Sequence, residues 1–441
     1  MKSQMSKHFA VLTLAALLLS PVGAIADGAF EEPPLELNAA LIVPDNLIVG
    51  ESYRIDPLVV NDGYSNTYTL ITDWGKVQAI SDYRLRARIQ EAEALLLLDS
   101  MSRAGVFGDA LKAGVLSPFE GAVALIKAPI ETTTGAIKGI GRWFGNVARS
   151  VTSSDPYQEG AISAAVGWAG TKRAFAVELG VDPYTDWEPL QQALTSVGRA
   201  AFAGGMAVGV AMGMATEGTQ LEMPVMLLST TNDMNHMLAD NPPASLTKIN
   251  KGKLEEMGID NEIIEAFLRN YNYTPKEKLL LVDALDRMSG AEGRETFLTQ
   301  AAAVPDEVVA RYFQQSAVMM ANYHTRVAET DVVEIFELAV QKTRDGRLIS
   351  VFPIDYLSWS ADASAIAVSV SEHVAQSDEI DAGEFWFEGS VSQRARDELE
   401  ALGWTVKERV GLLTGEALQT TDLEPGTPSP VVRGGAAVIA N

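Results

Sequence analysis

Four residues that follow two predicted strands could form a binding site for a small ligand. Asp355 and Tyr356 follow a strand predicted at 348–354, and Gly389 and Ser390 follow the next strand along the chain. In open parallel sheets, ligands bind beyond the carboxyl ends of the strands, where loops lead into helix N-termini. If the two strands are neighbours, these four residues converge, and the backbone donors of the following helix favour an anionic or polar ligand.

Three nearby residues bear on this prediction. Trp359 could add an apolar wall to the site. Pro353 argues against the prediction, because proline suits only an edge strand or a strand end and the first strand is assumed to lie inside the sheet. Ser390 stands three residues before Gln393, and this capping-box spacing explains the serine without a ligand, although Ser392 could also cap the helix alone. Because the stretch offers no suitable base, the pattern predicts binding rather than catalysis.

No other arrangement in the sequence indicates catalysis, a metal or a cofactor. The chain has no cysteine. Asp233, His236 and Asp240 could hold a metal only loosely, and their Asn- and Pro-rich surroundings indicate a solvated linker. No nucleophile elbow, glycine-rich phosphate loop or dinucleotide fingerprint is present. The sequence therefore predicts no metal site and no cofactor, names no catalytic residue, and does not decide whether the protein is an enzyme.

A basic amphipathic stretch at 134–151 could contact a membrane or a protein partner. Its charged residues are Lys138, Arg142 and Arg149, with no acid among them, and Trp143 adds an aromatic side chain suited to a membrane interface. This composition is typical of a helix that lies on an anionic membrane. A helix packed within the protein, with its basic side facing acidic residues, explains the same pattern.

Glycines four residues apart mark the uncharged stretch at 200–216. Gly205, Gly209 and Gly213 would lie on one face of a helix, where another backbone can approach closely. In water, each such glycine costs roughly 1 kcal/mol relative to alanine, so the spacing needs a packing reason. A membrane-inserting hairpin and a tightly packed buried helix both supply one. The stretch is at the lower limit for crossing a bilayer, which favours burial.

The pattern of residues 1–26 predicts a cleavable secretory signal. Lys2 and Lys7 precede an apolar run, and residues 24–26, Ala-Ile-Ala, match the small-x-small pattern that signal peptidase recognises. The apolar run is too short to span a bilayer. We therefore expect an exported protein of the periplasm, peripheral to a membrane if it contacts one.

Composition limits the partners that the chain can have. Its 441 residues carry a formal net charge of −24 at pH 7, which argues against nucleic acid as a partner because phosphate binding needs a basic surface. Hydrophobic residues make up 47% of the chain, enough to exclude global disorder and to form a core without disulfides. No feature of the sequence indicates the oligomeric state.

Hydrophobic periodicity predicts a predominantly α-helical fold with a small N-terminal β element and a C-terminal α/β unit. Ser81 is expected to cap a long helix, residues 331–344 are predicted as a further helix, and the C-terminal pattern predicts a three-stranded parallel βαβαβ sheet. The predicted segments are a β hairpin plus helix at 27–103, a Gly/Ala-rich helical region at 104–231, a helical domain at 244–346, the α/β unit at 347–410 and a disordered tail at 411–441.

Three pieces of the sequence resemble one group of proteins. They are residues 66–89 (from Asn-Thr-Tyr-Thr to Arg-Ile), residues 179–184 (Leu-Gly-Val-Asp-Pro-Tyr) and residues 389–404 (from Gly to Gly-Trp). Together they are similar to uncharacterised exported proteins of Gram-negative bacteria, over most of the chain. The resemblance implies export and carries no activity, cofactor or catalytic residue.

These features lead to one expected function and two alternatives. The expected function is that of a non-enzymatic envelope protein that contacts a membrane or another protein through residues 115–216. The first alternative is a small-ligand-binding protein or an enzyme with its site on the C-terminal α/β unit. A pore-forming role would rest on the glycine-rich stretches alone.

Overall fold

The computed structural model describes residues 30–33, 35–103, 157, 167–204, 232–336, 338–377, 380 and 382–410. The predicted signal and the predicted C-terminal tail lie outside the described residues. So do the predicted membrane or partner contacts, which are Lys138, Arg142, Trp143, Arg149, Gly205, Gly209 and Gly213. Among the helices that are described, none combines the length and the apolar character needed to cross a bilayer.

The N-terminal unit, residues 35–103 and 167–204, packs long helices on an antiparallel sheet. Its elements are β1 (Leu35–Asn38), α1 (Ala39–Ile42), α2 (Asp45–Ile48), β2 (Tyr53–Ile55), β3 (Leu58–Asn61), β4 (Asn66–Thr72), β5 (Gly75–Ile80), α3 (Asp82–Arg103), α4 (Trp168–Glu178) and α5 (Glu188–Ala203). Strands β2 and β3 pair in succession with β4, β5 also pairs with β4, and β1 extends the sheet beyond β3. These five strands form sheet 1. Alternate residues of β4, among them Tyr68 and Leu70, are buried in one core with α3, α4 and α5.

The helical unit, residues 232–326, follows in the described chain. Its elements are α6 (Asn232–Asp240), α7 (Pro243–Glu256), α8 (Asn261–Arg269), α9 (Pro275–Arg287), α10 (Arg294–Ala302) and α11 (Glu307–Arg326). The sequence Thr274-Pro275-Lys276-Glu277 predicts a capping box, and helix α9 begins with it. The Thr274 side chain accepts the Glu277 amide at 3.1 Å, and the Glu277 carboxylate accepts the Thr274 amide at 2.8 Å. Asp306 caps α11 in a similar way, by accepting the amides of Val308 and Val309.

The C-terminal unit, residues 330–410, contains a five-stranded mixed sheet, sheet 2. Its elements are β6 (Thr330–Ile335), β7 (Leu338–Thr343), β8 (Arg347–Phe352), β9 (Tyr356–Leu357), α12 (Ala361–Ala375), β10 (Ala382–Phe387), β11 (Ser390–Val391), α13 (Gln393–Ala401) and β12 (Trp404–Lys407). The strand order of sheet 2 is β12-β10-β8-β7-β6, and β9 pairs separately with β11. Strands β8, β10 and β12 are parallel, whereas β7 is antiparallel to its two neighbours, β6 and β8. One face of sheet 2 packs on the helical unit and the other on α12 and α13.

The predicted fold class, predominantly helical with a single three-stranded unit, is wrong. Sheets 1 and 2 each have five strands, and the predicted helix at 331–344 is the β6–β7 hairpin. Val332 belongs to the core shared with the helical unit, whereas Ile335 belongs to the core on the other face of sheet 2. Because β6 is buried on both faces, its apolar residues stand three apart, a spacing that is also typical of a helix. Residues 344–346, which follow β7, form a turn in which Gly346 has a φ of +82°.

Candidate functional site

The structure brings the four predicted ligand residues together. Strand β9 pairs in parallel with β11, so that Ser390 lies opposite Tyr356. The Ser390 amide donates to the Asp355 carbonyl at 3.0 Å. A Cβ at Gly389 would lie 2.0 Å from that same carbonyl oxygen, so the close approach requires glycine. The expected convergence is therefore present, although it arises through the small β9–β11 sheet.

The Asp355 carboxylate joins the C-terminal unit to the N-terminal unit. One oxygen accepts the Asn66 amide at 2.7 Å, at the start of β4, and the other accepts the Asp82 amide at 2.9 Å, at the start of α3. The Asp355 amide donates to the Tyr64 carbonyl at 3.0 Å. Burial, with the neighbouring Asp82 carboxylate, raises the pKa of Asp355 well above its usual range. Both carboxylate oxygens are thus occupied by backbone donors of another unit.

The helix start expected to attract an anion is occupied by carboxylates of the protein itself. The Val391 amide donates to Glu408 at 2.9 Å, and the Ser392 hydroxyl donates to Glu31 at 2.5 Å. Ser392, rather than Ser390, caps α13. Ligand binding at these residues stays a prediction, and the contacts that the structure shows there are internal.

The histidines also have structural positions. The stretch with Asp233, His236 and Asp240, interpreted from the sequence as a linker, forms helix α6. His324 accepts the Thr330 amide at 3.0 Å through its Nδ1, and so ties the end of α11 to β6. Within the described ranges, no group of three or more His, Cys, Asp or Glu side chains could hold a metal ion.

A cleft of about 380 Å³, here called the central cleft, lies where the N-terminal unit meets the helical unit. The start of α3, helix α4 with the loop after it, the start of α9 and the first turns of α11 line it. Tyr157 and Tyr184 form an aromatic wall, with ring centroids 6.1 Å apart. The charged side chains that line the cleft are Arg84, Lys172, Arg173, Asp182, Asp186, Glu277, Glu307 and Arg311.

The loop after α4 brings Asp182 to the cleft. Helix α4 ends at Gly180, whose φ of +70° is readily adopted by glycine. Asp182 then accepts the Tyr184 amide at 2.8 Å, which closes a tight turn, and accepts the Thr274 hydroxyl at 3.1 Å. Burial raises the pKa of Asp182. Because Thr274 also caps α9, these bonds join the loop to the helical unit.

A buried ion network holds the other side of this loop against α3. Arg88 donates to Glu91 at 2.7 Å and to Asp186 at 2.8 and 2.9 Å, while Glu91 accepts the Thr185 hydroxyl at 2.5 Å. Arg84 forms ion pairs with the same two carboxylates. Partial burial would raise the pKa of Asp186, but the guanidinium groups of Arg84, Arg88 and Arg311 outweigh it and lower that pKa. The charge of Arg84 is therefore neutralised within the protein.

Arg311 differs from Arg84 in having no close carboxylate partner, although it interacts electrostatically with Glu277 and Asp186. Its side chain is only 14% exposed, and its recorded ion pair is a 3.9 Å contact with Glu307, one helical turn before it on α11. It forms no hydrogen bond with any residue that the structure describes. Buried guanidinium groups are normally paired, because removing the charge from water is costly. The arrangement leaves Arg311 able to bind an anion with the two parallel hydrogen bonds that a guanidinium offers.

Glu277 supplies a second incompletely bonded group. The residue is 9% exposed, and one of its carboxylate oxygens caps Thr274. The other oxygen accepts no hydrogen bond from the described residues. Burial raises the pKa of Glu277, and Arg311 partly opposes this effect. The central cleft therefore combines an available guanidinium with a carboxyl group that can accept, or when protonated donate, a hydrogen bond.

Sequence reasoning missed this site. Glu277 was fully explained by its capping box, and nothing in the spacing of Arg311 distinguishes it from a surface arginine.

Comparison of the chain with protein-family models, with curated proteins and with solved structures gives no match. The resemblance to exported proteins of Gram-negative bacteria therefore stays a prediction.

Proposed function

We propose that the protein binds a small organic anion in the central cleft, with Arg311 as the residue that contacts the anionic group. The observation that carries this proposal is the largely buried Arg311 side chain, which makes no hydrogen bond with the described residues. A carboxylate or phosphate group would supply the missing partner. Arg84, by contrast, already pairs with the carboxylates of Glu91 and Asp186.

The size and the lining of the cleft fit this class of ligand. About 380 Å³ lies within the range of small-molecule sites. Glu277 would contact a hydroxyl or amino group of the ligand, and the aromatic wall of Tyr157 and Tyr184 would cover its apolar part. These contacts concern the binding of a ligand, and the proposal is therefore binding rather than catalysis.

The proposed site of action is outside the cytoplasm, as the signal pattern of residues 1–26 indicates. The alternative function, contact with a membrane or an envelope protein through residues 115–216, depends mainly on residues outside the described ranges. It stays a prediction, and no contact among the described residues favours it over ligand binding.

Isothermal titration calorimetry with acetate, succinate, glutamate and inorganic phosphate, at constant ionic strength, tests the proposal. We expect at least one of these anions to bind the wild-type protein. Arg311→Gln should weaken that binding about 10- to 100-fold, since a charge-assisted hydrogen bond contributes about 1.5–3 kcal/mol. Because Arg311 also interacts with the Glu277 and Asp186 carboxylates, the melting temperature of the variant is measured as well, and the affinities are compared well below it.

Arg344→Gln is the matched control. It makes the same change of charge at a side chain that is 81% exposed and paired with Glu329 on the surface. Its affinity should equal that of the wild type. The proposal fails if no anion binds, or if Arg311→Gln and Arg344→Gln bind equally well.

A further inference from the structure

A second pocket, of about 140 Å³, lies beside the central cleft. Helix α7, the end of α8 with the turn after it, and the start of α9 line this pocket, here called the amide pocket. Tyr157 lines both the central cleft and the amide pocket, so the two volumes lie on either side of one side chain. A ligand that binds in the central cleft and reaches past Tyr157 would therefore enter the amide pocket.

Asn250 is the unusual residue of the amide pocket. It lies on α7 and is 1% exposed. Its carbonyl oxygen is fully buried without a hydrogen-bond partner, and its amino group also makes no hydrogen bond with a described residue. The large majority of buried side-chain amides have partners, because leaving their polar atoms without one is destabilising.

Most other polar groups in the wall of the pocket are already bonded. Lys278 donates to the Leu268 carbonyl at 2.7 Å, and its charge lies 5.2 Å from the centre of the Tyr271 ring. Thr247 donates to the Pro243 carbonyl at 3.0 Å, and Lys251 donates to Glu265 at 2.6 Å. Beside the charged Arg269 side chain, the pocket thus offers a ligand one neutral amide, which can donate one hydrogen bond and accept another at the same time.

We propose that the amide pocket binds an amide group of the same ligand whose anionic group contacts Arg311. The inference rests on the proposed function of the central cleft, and it narrows the ligand class to acylated amino acids and short peptides with a free carboxylate. An amide matches Asn250 because its carbonyl accepts from the asparagine amino group while its N–H donates to the asparagine carbonyl. A second anionic group would leave the Asn250 carbonyl unbonded, and an apolar group would leave both atoms unbonded.

Three probes separate the two sites: acetate, N-acetylglycine and N-acetylglycylglycine, titrated calorimetrically into the full-length protein. Acetate tests Arg311 alone, and the other two place an amide at increasing distance from the carboxylate. We expect at least one amide probe to bind about tenfold more tightly than acetate, the gain typical of one added hydrogen-bonded group. Asn250→Leu, which is nearly isosteric, should abolish that gain and leave the affinity for acetate unchanged.

Arg311→Gln should instead weaken the binding of all three probes. The melting temperature of Asn250→Leu should equal or exceed that of the wild type, since the substitution removes unbonded buried polar atoms. The inference is overturned if neither amide probe binds more tightly than acetate, or if Asn250→Leu keeps the gain, as it would if water alone filled the pocket. It is also overturned if Asn250→Leu lowers the melting temperature, because the amide would then be bonded within the protein. If acetate and both amide probes fail to bind at all, the proposed function falls together with the inference.

Discussion

Asp355→Ala distinguishes a residue that joins two structural units from a residue that binds a ligand. In the wild type, the Asp355 carboxylate accepts the Asn66 amide at 2.7 Å and the Asp82 amide at 2.9 Å. Alanine supplies no acceptor, so both backbone donors lose their partner at the junction between the N-terminal and C-terminal units. We expect the protein to be destabilised with or without a ligand.

The size of the effect follows from the two lost bonds. A buried donor without a partner costs about 1–3 kcal/mol, which places the sum at about 2–6 kcal/mol. The wild type also carries the cost of burying this carboxyl group, as its raised pKa shows, and alanine removes that cost. The net loss in the free energy of unfolding should therefore lie near the lower end, at about 2–3 kcal/mol. Asp355→Asn keeps one carbonyl oxygen as an acceptor and should lose about half as much.

Urea denaturation followed by tryptophan fluorescence measures these differences. Ser390→Ala is the matched control, because the Ser390 amide holds its bond to the Asp355 carbonyl and no hydrogen bond of the hydroxyl is recorded in the described part of the chain. It should change the free energy of unfolding by less than about 0.5 kcal/mol. If Asp355→Ala is as stable as Ser390→Ala, the carboxylate does not hold the junction and the reasoning is refuted.

Three further predictions concern packing, pH and export. Gly198→Ala should lower the melting temperature, because its Cβ would lie 3.0 Å from the backbone of α4. At Gly252 a Cβ would have no atom within 4 Å, so Gly252→Ala should raise the free energy of unfolding by up to about 1 kcal/mol through helix propensity. Equal shifts for the two variants would contradict this packing. The pKa values of Asp182 and Glu277 are raised in the folded protein, so their contribution to stability is complete at pH values below their unfolded pKa and is lost as the pH rises through their folded pKa. The melting temperature should therefore fall as the pH rises from mildly acidic to neutral. Glu277→Gln, which keeps the capping box, should reduce this dependence of the melting temperature on pH. A melting temperature that instead rises over this range would show that other groups dominate the pH dependence of stability. For export, N-terminal sequencing of the protein from its native host should give a start at or near Asp27, and recovery of the intact N-terminus would overturn the predicted signal.

Local features of the sequence determined the starts of helices. The capping box of Thr274 and Glu277 and the start of α3 after Ser81 could both be predicted, because each depends on hydrogen bonds between residues that are two or three positions apart. The convergence of Asp355 and Ser390 could be predicted as well, since strands separated by single helices in a parallel sheet lie close together.

Tertiary structure decided which of these groups remain available to a ligand. At the helix start after β11, the Val391 amide expected to be available donates to Glu408, and the Ser392 hydroxyl donates to Glu31 in a distant part of the chain. Tertiary structure also explains the wrong helix prediction for β6. Two separate cores bury its opposite faces, and its buried apolar residues, Val332 and Ile335, therefore stand three apart, a spacing that is also typical of a helix. Arg311 and Glu277 become a candidate site only because packing buries both in one cleft and leaves each without a full set of hydrogen bonds. The sequence contains each donor and acceptor, but whether a buried polar group is bonded or free depends on partners that only the folded chain brings within reach.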